Sequence, residues 1–144
     1  MSYSFGKASS RRLATCHRDI FMIVNVVITR TPVDFTVADG RRGRVAQEAA
    51  FEAGNSKARY GESPHNAAPL SLAVDLVPYI DGRLAYENDE AFDQLHDCVR
   101  EVEGELLSDD VITNRLDWGG DWSGFVDKPH WQIRGWRKMV KEAA

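Results

Sequence analysis

The sequence predicts an α+β domain, a small and mainly antiparallel sheet with flanking helices. Three observations lead there. Apolar residues recur at three- and four-residue steps in two long stretches, as an amphipathic helix requires. Short alternating or continuously apolar runs of strand length lie between and after them. Helices and strands do not alternate regularly, as a parallel sheet would demand. At 144 residues the chain fits one domain spanning 1–144, large enough to bury a core without covalent staples.

Leu13, Cys16, Ile20, Val24 and Val27 share one helical face, with Ser9 or Ser10 available as cap, so a first helix is expected from about Ser10. Pro32 stops it, because the residue before a proline is pushed out of helical geometry. Val33, Phe35 and Val37 then alternate with Asp34, Thr36 and Ala38, a half-buried strand ended by Asp39-Gly40. A second helix is expected over Arg44 to Ala53, closed by Gly54. Residues 55–71 are rich in Gly, Ser, Pro and Asn and read as a long loop, a length that is often functional. The run Leu70 to Tyr79 reads as a strand. Phe92, Leu95, Val99, Val102 and Leu106 place a long helix over about 88–107, behind an Asn88/Asp89 cap. Strand-like pieces near Val111–Trp118 and His130–Ile133 close the fold around a glycine-rich turn. Residues 134–144 form a basic, amphipathic tail, read either as a solvated helix or as a contact for an anionic wall or membrane surface.

Composition excludes several classes. A net charge of −4 argues against a nucleic-acid partner, which usually demands a basic face. The two cysteines, Cys16 and Cys98, match neither a disulfide framework nor a thiolate zinc cluster. The longest apolar stretch, Ile20 to Ile28, is too short to span a bilayer, which takes roughly 20 residues. No small-residue cleavage site follows it. Neither stable membrane insertion nor an export signal of the chain's own is therefore expected.

Two features are anomalous. Asp75 interrupts an otherwise buried strand, where an ionised carboxylate is costly unless a cation compensates it; the alternative is an edge strand with Asp75 facing water. His65 lies in the loop just upstream, close enough for imidazole and carboxylate to meet. In Asp127-Lys128-Pro129-His130, Pro129 favours extended backbone, which puts His130 at a strand start with Gln132 on its face and Trp131 and Ile133 on the other. Two histidines and one carboxylate suffice to hold a catalytic zinc with a fourth position open to water. Asp127 would then be a spare carboxylate placed for a general base. His17 and His96 sit in helices and are read as uninvolved.

Ser63-Pro64-His65 through Ser71-Leu72-Ala73-Val74-Asp75 resembles the SxH…AxD signature of the zinc D-alanyl-D-alanine carboxypeptidases and L-alanyl-D-glutamate endopeptidases. Asp127-Lys-Pro-His130 is similar to that family's second signature. Trp118-Gly119-Gly120-Asp121-Trp122 resembles a stretch of its phage endolysin branch, as do Pro32–Val37, Gly40-Arg41-Arg42, Ala53-Gly54 and Ser56-Lys57. The resemblance implies zinc held by His65, Asp75 and His130, with Asp127 as general base. It implies an arginine at the oxyanion or the substrate carboxylate, Arg42 matching better than Arg41. Ser63 is implied as a pocket hydrogen-bonder, with simple turn chemistry as the alternative. Trp118, Asp121 and Trp122 are implied to line the substrate groove, with core packing the alternative for the tryptophans. Two departures stand out: the gap from His65 to Asp75 is long, read as an insertion at Asn66 to Leu70, and Gln132 stands where the family often has glutamate.

The implied activity is zinc-dependent hydrolysis of the peptidoglycan stem peptide, at the L-Ala–D-Glu bond, by a monomeric phage endolysin held in the host cytoplasm before lysis. Release of a terminal D-Ala is the alternative reaction. A non-catalytic wall-binding protein on the same zinc scaffold, and a metal-free interaction domain, are the alternatives of other classes.

Overall fold

The molecule is known from a computed structural model that describes residues 2–143. Its elements are α1 (Lys7–Leu13), α2 (Arg18–Arg30), β1 (Phe35–Asp39), α3 (Arg44–Glu52), β2 (Ala73–Ile80), β3 (Arg83–Leu84), α4 (Asp89–Ser108), β4 (Leu116–Trp118), β5 (His130–Ile133) and α5 (Trp136–Ala143). Single 3-10 turns at Pro64–Asn66 and Gly119–Asp121 punctuate the two long loops. The sheet runs β1-β2-β5-β4, with every pairing antiparallel and β3 added as a short hairpin on β2. The α+β expectation holds. Among the described residues no helix is long and apolar enough to cross a membrane.

One face of the sheet carries the core. Phe35, Val37, Val74, Leu76, Trp131, Ile133 and Leu116 point from it into a cluster completed by Ile20, Ile23, Val24 and Val27 of α2 and Leu95, Val99 and Val102 of α4. Strand periodicity forces their neighbours onto the opposite face. Those neighbours are Asp75, His130 and Gln132, and a bulge after Val37 brings Asp39 into register beside Asp75.

The first helix expected from the sequence is in fact two. The backbone breaks at Ala14–His17 because Thr15 and His17 pair with Ser71: Ser71 N donates to Thr15 O and His17 N to Ser71 O, each at 2.8 Å. His17 caps the new helix, its Nδ1 accepting from Asp19 N at 3.0 Å. Ser9 is not a cap. It is buried in α1 and its hydroxyl accepts from Val37 N of β1. The break seats Gly40, where a Cβ would overlap the Arg12 carbonyl.

Two buried carboxylates pin β4, the edge strand. Glu103 of α4 accepts from Leu116 N at 2.6 Å and pairs with Arg100, which donates to Leu116 O at 2.7 Å. The edge that could recruit another strand is thereby satisfied from within. Asp19 accepts from Thr113 N, Asn114 N and Asn114 Nδ2, tying the approach to β4 onto the start of α2. Burial alone would raise the Asp19 carboxyl, but the bonds from Asn114 and Thr113 outweigh it and hold the group below its ordinary value.

A carboxyl depressed in the folded state adds stability that is present above its unfolded value, near pH 4, and is lost as pH falls through the folded value. Asp19→Asn should therefore destabilise the protein by about 1–2 kcal/mol at pH 7. The gap should narrow in acid, as read from urea midpoints of both proteins at pH 7 and pH 3.

Candidate metal centre and active site

The cross-strand register builds the centre. Asp75 of β2 lies directly opposite His130 of β5, and a bulge between Val37 and Asp39 slides Asp39 of β1 opposite Asp75 on the other side. One row of the sheet therefore reads Asp39, Asp75, His130. His65 arrives from the loop on the Pro64–Asn66 turn, where the Ser63 hydroxyl accepts from His65 N at 3.1 Å and Asn66 Oδ1 accepts from Ser63 N and Gly61 N. Asn66, where the expected insertion begins, has a structural role. The Asn66 amide also donates to Arg42 O and to Gln47 Oε1, while the fully buried Gln47 donates to Ser56 Oγ and Ala58 O. This amide hub orders a loop that composition alone marks as irregular.

The ring nitrogens are oriented. His65 Nδ1 lies 2.7 Å from the Gly40 carbonyl, which takes its proton and leaves the Nε2 lone pair free. His130 Nε2 lies 2.9 Å from Gln132 Oε1, leaving the Nδ1 lone pair free. These two free nitrogens and Asp75 Oδ1 form a nearly equilateral triangle, with sides of 3.2, 3.2 and 3.3 Å. His65 is fully buried and His130 nearly so. Among the described residues these three side chains form the group able to hold a metal ion, and Asp127 is outside it.

Charge is concentrated here. Burial would raise the Asp75 carboxyl, but the His65 and His130 imidazoles reverse this and hold it far below the carboxylate range. Burial opposes charge on His130, yet contact with Asp75 raises its value. Asp127 and Asp39 are both pushed up, foremost by burial, and each feels the Asp75 charge as well. Arg42 places Nε 3.1 Å from Asp39 Oδ2 and Nη2 3.9 Å from Asp75 Oδ2. Its buried Nε makes no aligned hydrogen bond, while the residue as a whole lines the cavity.

The centre opens into a cavity of about 1350 Å³, lined among others by Asp39, Arg42, Ser63, His65, Asp75, Trp122, Asp127 and His130. Residues 1–135 match the family described as phage L-alanyl-D-glutamate peptidase. The chain belongs to the phage L-alanyl-D-glutamate peptidase family. It is 29% identical over 128 residues to the L-alanyl-D-glutamate peptidase of Escherichia phage T5, covering 88% of this chain and 87% of that protein. Its fold matches the crystal structure of the Serratia marcescens L-Ala D-Glu endopeptidase ChiX with a TM-score of 0.72 and 25% identity, over 94% of this chain and 92% of that one.

The remaining residues of this peptidase sort by position. Arg42 lines the cavity, whereas Arg41 is exposed and is not among its lining residues. Trp118 and Asp121, expected along the groove, do not line it either. Trp118 is buried, stacks on His96 and Trp131, and donates from Nε1 to Lys128 O at 2.8 Å. Asp121 is exposed, 3.9 Å from Arg100. Four residues with no expected role, Asp39, Tyr86, Trp136 and Arg137, do line the cavity. No motif marks them; only the bulge in β1, the β3 hairpin and the folded-back α5 bring them there.

The Trp118–Trp122 stretch serves the site in another way, by carrying Asp127. The Gly119 carbonyl accepts from Asp127 N at 2.9 Å and from Trp122 N at 3.3 Å. A Cβ on Gly119 would overlap the Asp127 carbonyl, and one on Gly120 would enter the Trp118 ring. Gly119→Ala should therefore displace Asp127 and lower the wall-lytic rate. Overpacking of this kind costs about 1–3 kcal/mol of fold stability, and the displacement of Asp127 should be read as a lower rate in the folded variant. Circular dichroism of the variant should still report a native fold.

Proposed function

We propose that the protein is a zinc-dependent L-alanyl-D-glutamate endopeptidase that cuts the peptidoglycan stem peptide as a phage endolysin, waiting in the host cytoplasm until lysis. The observation that carries the metal assignment is the donor triangle. Zinc–ligand bonds of about 2.0–2.1 Å at tetrahedral angles separate neighbouring donors by about 3.3 Å, and the sides here are 3.2 to 3.3 Å. Two imidazole nitrogens and one carboxylate oxygen suit zinc and not the hard cations, which take six or more oxygens. Three protein donors would leave a bound zinc ion free to take one further ligand.

His65, Asp75 and His130 would hold the ion. Bound there, zinc supplies Lewis acidity, polarising the scissile carbonyl and letting water give up a proton near neutral pH. Asp127, which lines the same cavity without joining the triangle, takes that proton as water attacks and passes it to the leaving amine. Burial keeps its proton affinity above that of an ordinary carboxylate, which suits a group that must both accept and return a proton. The Arg42 guanidinium offsets the negative charge that grows on the carbonyl oxygen. Asp39 holds Arg42 in place. Ser63 caps the turn that presents His65 and also faces the cavity.

His130→Ala should lose zinc and activity together, whereas Asp127→Ala should keep about one zinc per chain and lose on the order of 10² to 10⁴ in rate. Metal analysis beside turnover separates the two roles. A zinc-loaded Asp127→Ala protein with near-normal turnover would remove Asp127 from the mechanism.

Digestion of purified peptidoglycan should release stem peptides with new D-Glu amino termini and leave the glycan uncut. Mass spectrometry of the products reads this directly. Free D-alanine as the sole product would indicate a carboxypeptidase, and new reducing ends a glycosidase.

A further inference from the structure

The two walls of the cavity differ in chemistry. Arg42 and Asp39 flank the Asp75 corner of the triangle, so that side is charged. Trp122 flanks the His130 corner, with ring centroids 5.2 Å apart and planes at 45°, and Phe125 and Val126 add further apolar surface to the cavity lining. Phe125 already has a partner, the Lys57 ammonium 5.3 Å from its ring centroid. Trp122 is half-buried, and its indole N–H meets no acceptor among the described residues, unlike that of Trp118. It presents an amphipathic ring with an unused donor to the cavity.

The stem peptide is asymmetric in the same way. Beyond the scissile bond lie D-Glu, with its free carboxylate, and the charged residues that follow. On the other side lies L-Ala, whose nitrogen is acylated by the lactyl group of N-acetylmuramic acid, a sugar left neutral by its acetylated amine and amidated carboxyl. Alanyl and lactyl units together span about 7 Å when extended. The sugar of a substrate whose scissile carbonyl sits at the triangle therefore falls against the Trp122 side. Pyranose rings offer C–H faces that pack on aromatic planes and hydroxyls that accept from an indole N–H.

We propose that Trp122 is a specificity-determining residue that stacks on the muramic acid sugar of the substrate, so that the enzyme reads the glycan attachment as well as the peptide. This rests on the peptidase reading of the centre. The test uses the full zinc-loaded chain and two substrates of identical peptide sequence, one carrying N-acetylmuramic acid on L-Ala and one carrying only an N-acetyl group. The readout is the ratio of kcat/KM for the sugar-bearing peptide over the sugar-free one, taken within each protein, with zinc content measured in parallel. Wild type should prefer the sugar-bearing peptide about tenfold. Trp122→Ala and Trp122→Leu, the latter keeping apolar bulk without a π face, should bring the ratio near one; Trp122→Phe should retain most of it. A wild type that shows no preference would overturn the proposal. So would variants that lose activity on both peptides by one common factor, for then Trp122 only supports His130. A wild type that cleaves neither peptide would instead overturn the peptidase reading itself, and this inference with it.

Discussion

Everything at the centre depends on one costly arrangement, a carboxylate placed mid-strand with another directly across the sheet. Asp75 stands opposite Asp39 on one side and His130 on the other. Like charges at directly opposed positions repel, and a buried carboxylate has lost most of its hydration. The neighbours answer that cost. Two imidazoles contact Asp75, and Arg42 spans both acids. A site that gathers so much opposite charge around one carboxylate, and leaves three lone pairs converging within 3.3 Å, is poorly arranged for stability alone. It is well arranged for a divalent cation, whose binding relieves the same strain.

Holding His65 against that strand demands order in a loop with no regular structure of its own. The order comes from backbone groups and side-chain amides in place of apolar packing. Gly40 O fixes one ring nitrogen, and Arg42 N donates to His65 O at 2.7 Å. Asn66 and Gln47 then bridge three stretches of loop. Gly40 in turn is seated by the break between α1 and α2, where Arg41 N donates to the Thr15 hydroxyl. The split helix is thus part of the scaffold of the site: a continuous helix would have no free backbone at Thr15 and His17 to pair with Ser71, and no turn to receive Gly40.

What the sequence showed and what it hid follow from the range of the forces involved. The helix over 89–108 and the strands at 35–39, 73–80 and 130–133 were legible because periodicity is a local signal. The grouping of His65, Asp75 and His130 was legible because a carboxylate inside an apolar strand and two histidines also fit a family signature. The break at Ala14–His17 was hidden, since it is decided by pairing to a residue more than fifty positions away. Asp39 and Tyr86 were hidden for a similar reason, as a one-residue bulge and a two-residue hairpin strand leave little trace in hydropathy. The tryptophan-glycine stretch was visible but its meaning was not. Of its side chains Trp122 lines the cavity while Trp118 and Asp121 do not, and its glycines matter by lacking side chains, which lets Asp127 approach.

The glutamine at position 132, where a glutamate is more usual, also takes its meaning from geometry. Gln132 shares the sheet face of His130, and its amide oxygen accepts from Nε2 at 2.9 Å. The second imidazole is likewise oriented by a neutral acceptor, the Gly40 carbonyl. Neutral acceptors fix the tautomer and ring orientation as a carboxylate would, but draw the ring proton away less strongly and leave the opposite nitrogen a weaker base. A divalent cation held by these rings would keep more of its charge. Asp75 then supplies the one formal negative charge among the three donors. Asp127, anchored through its backbone to Gly119, lies outside the group of three, the placement that the proposed role as base requires.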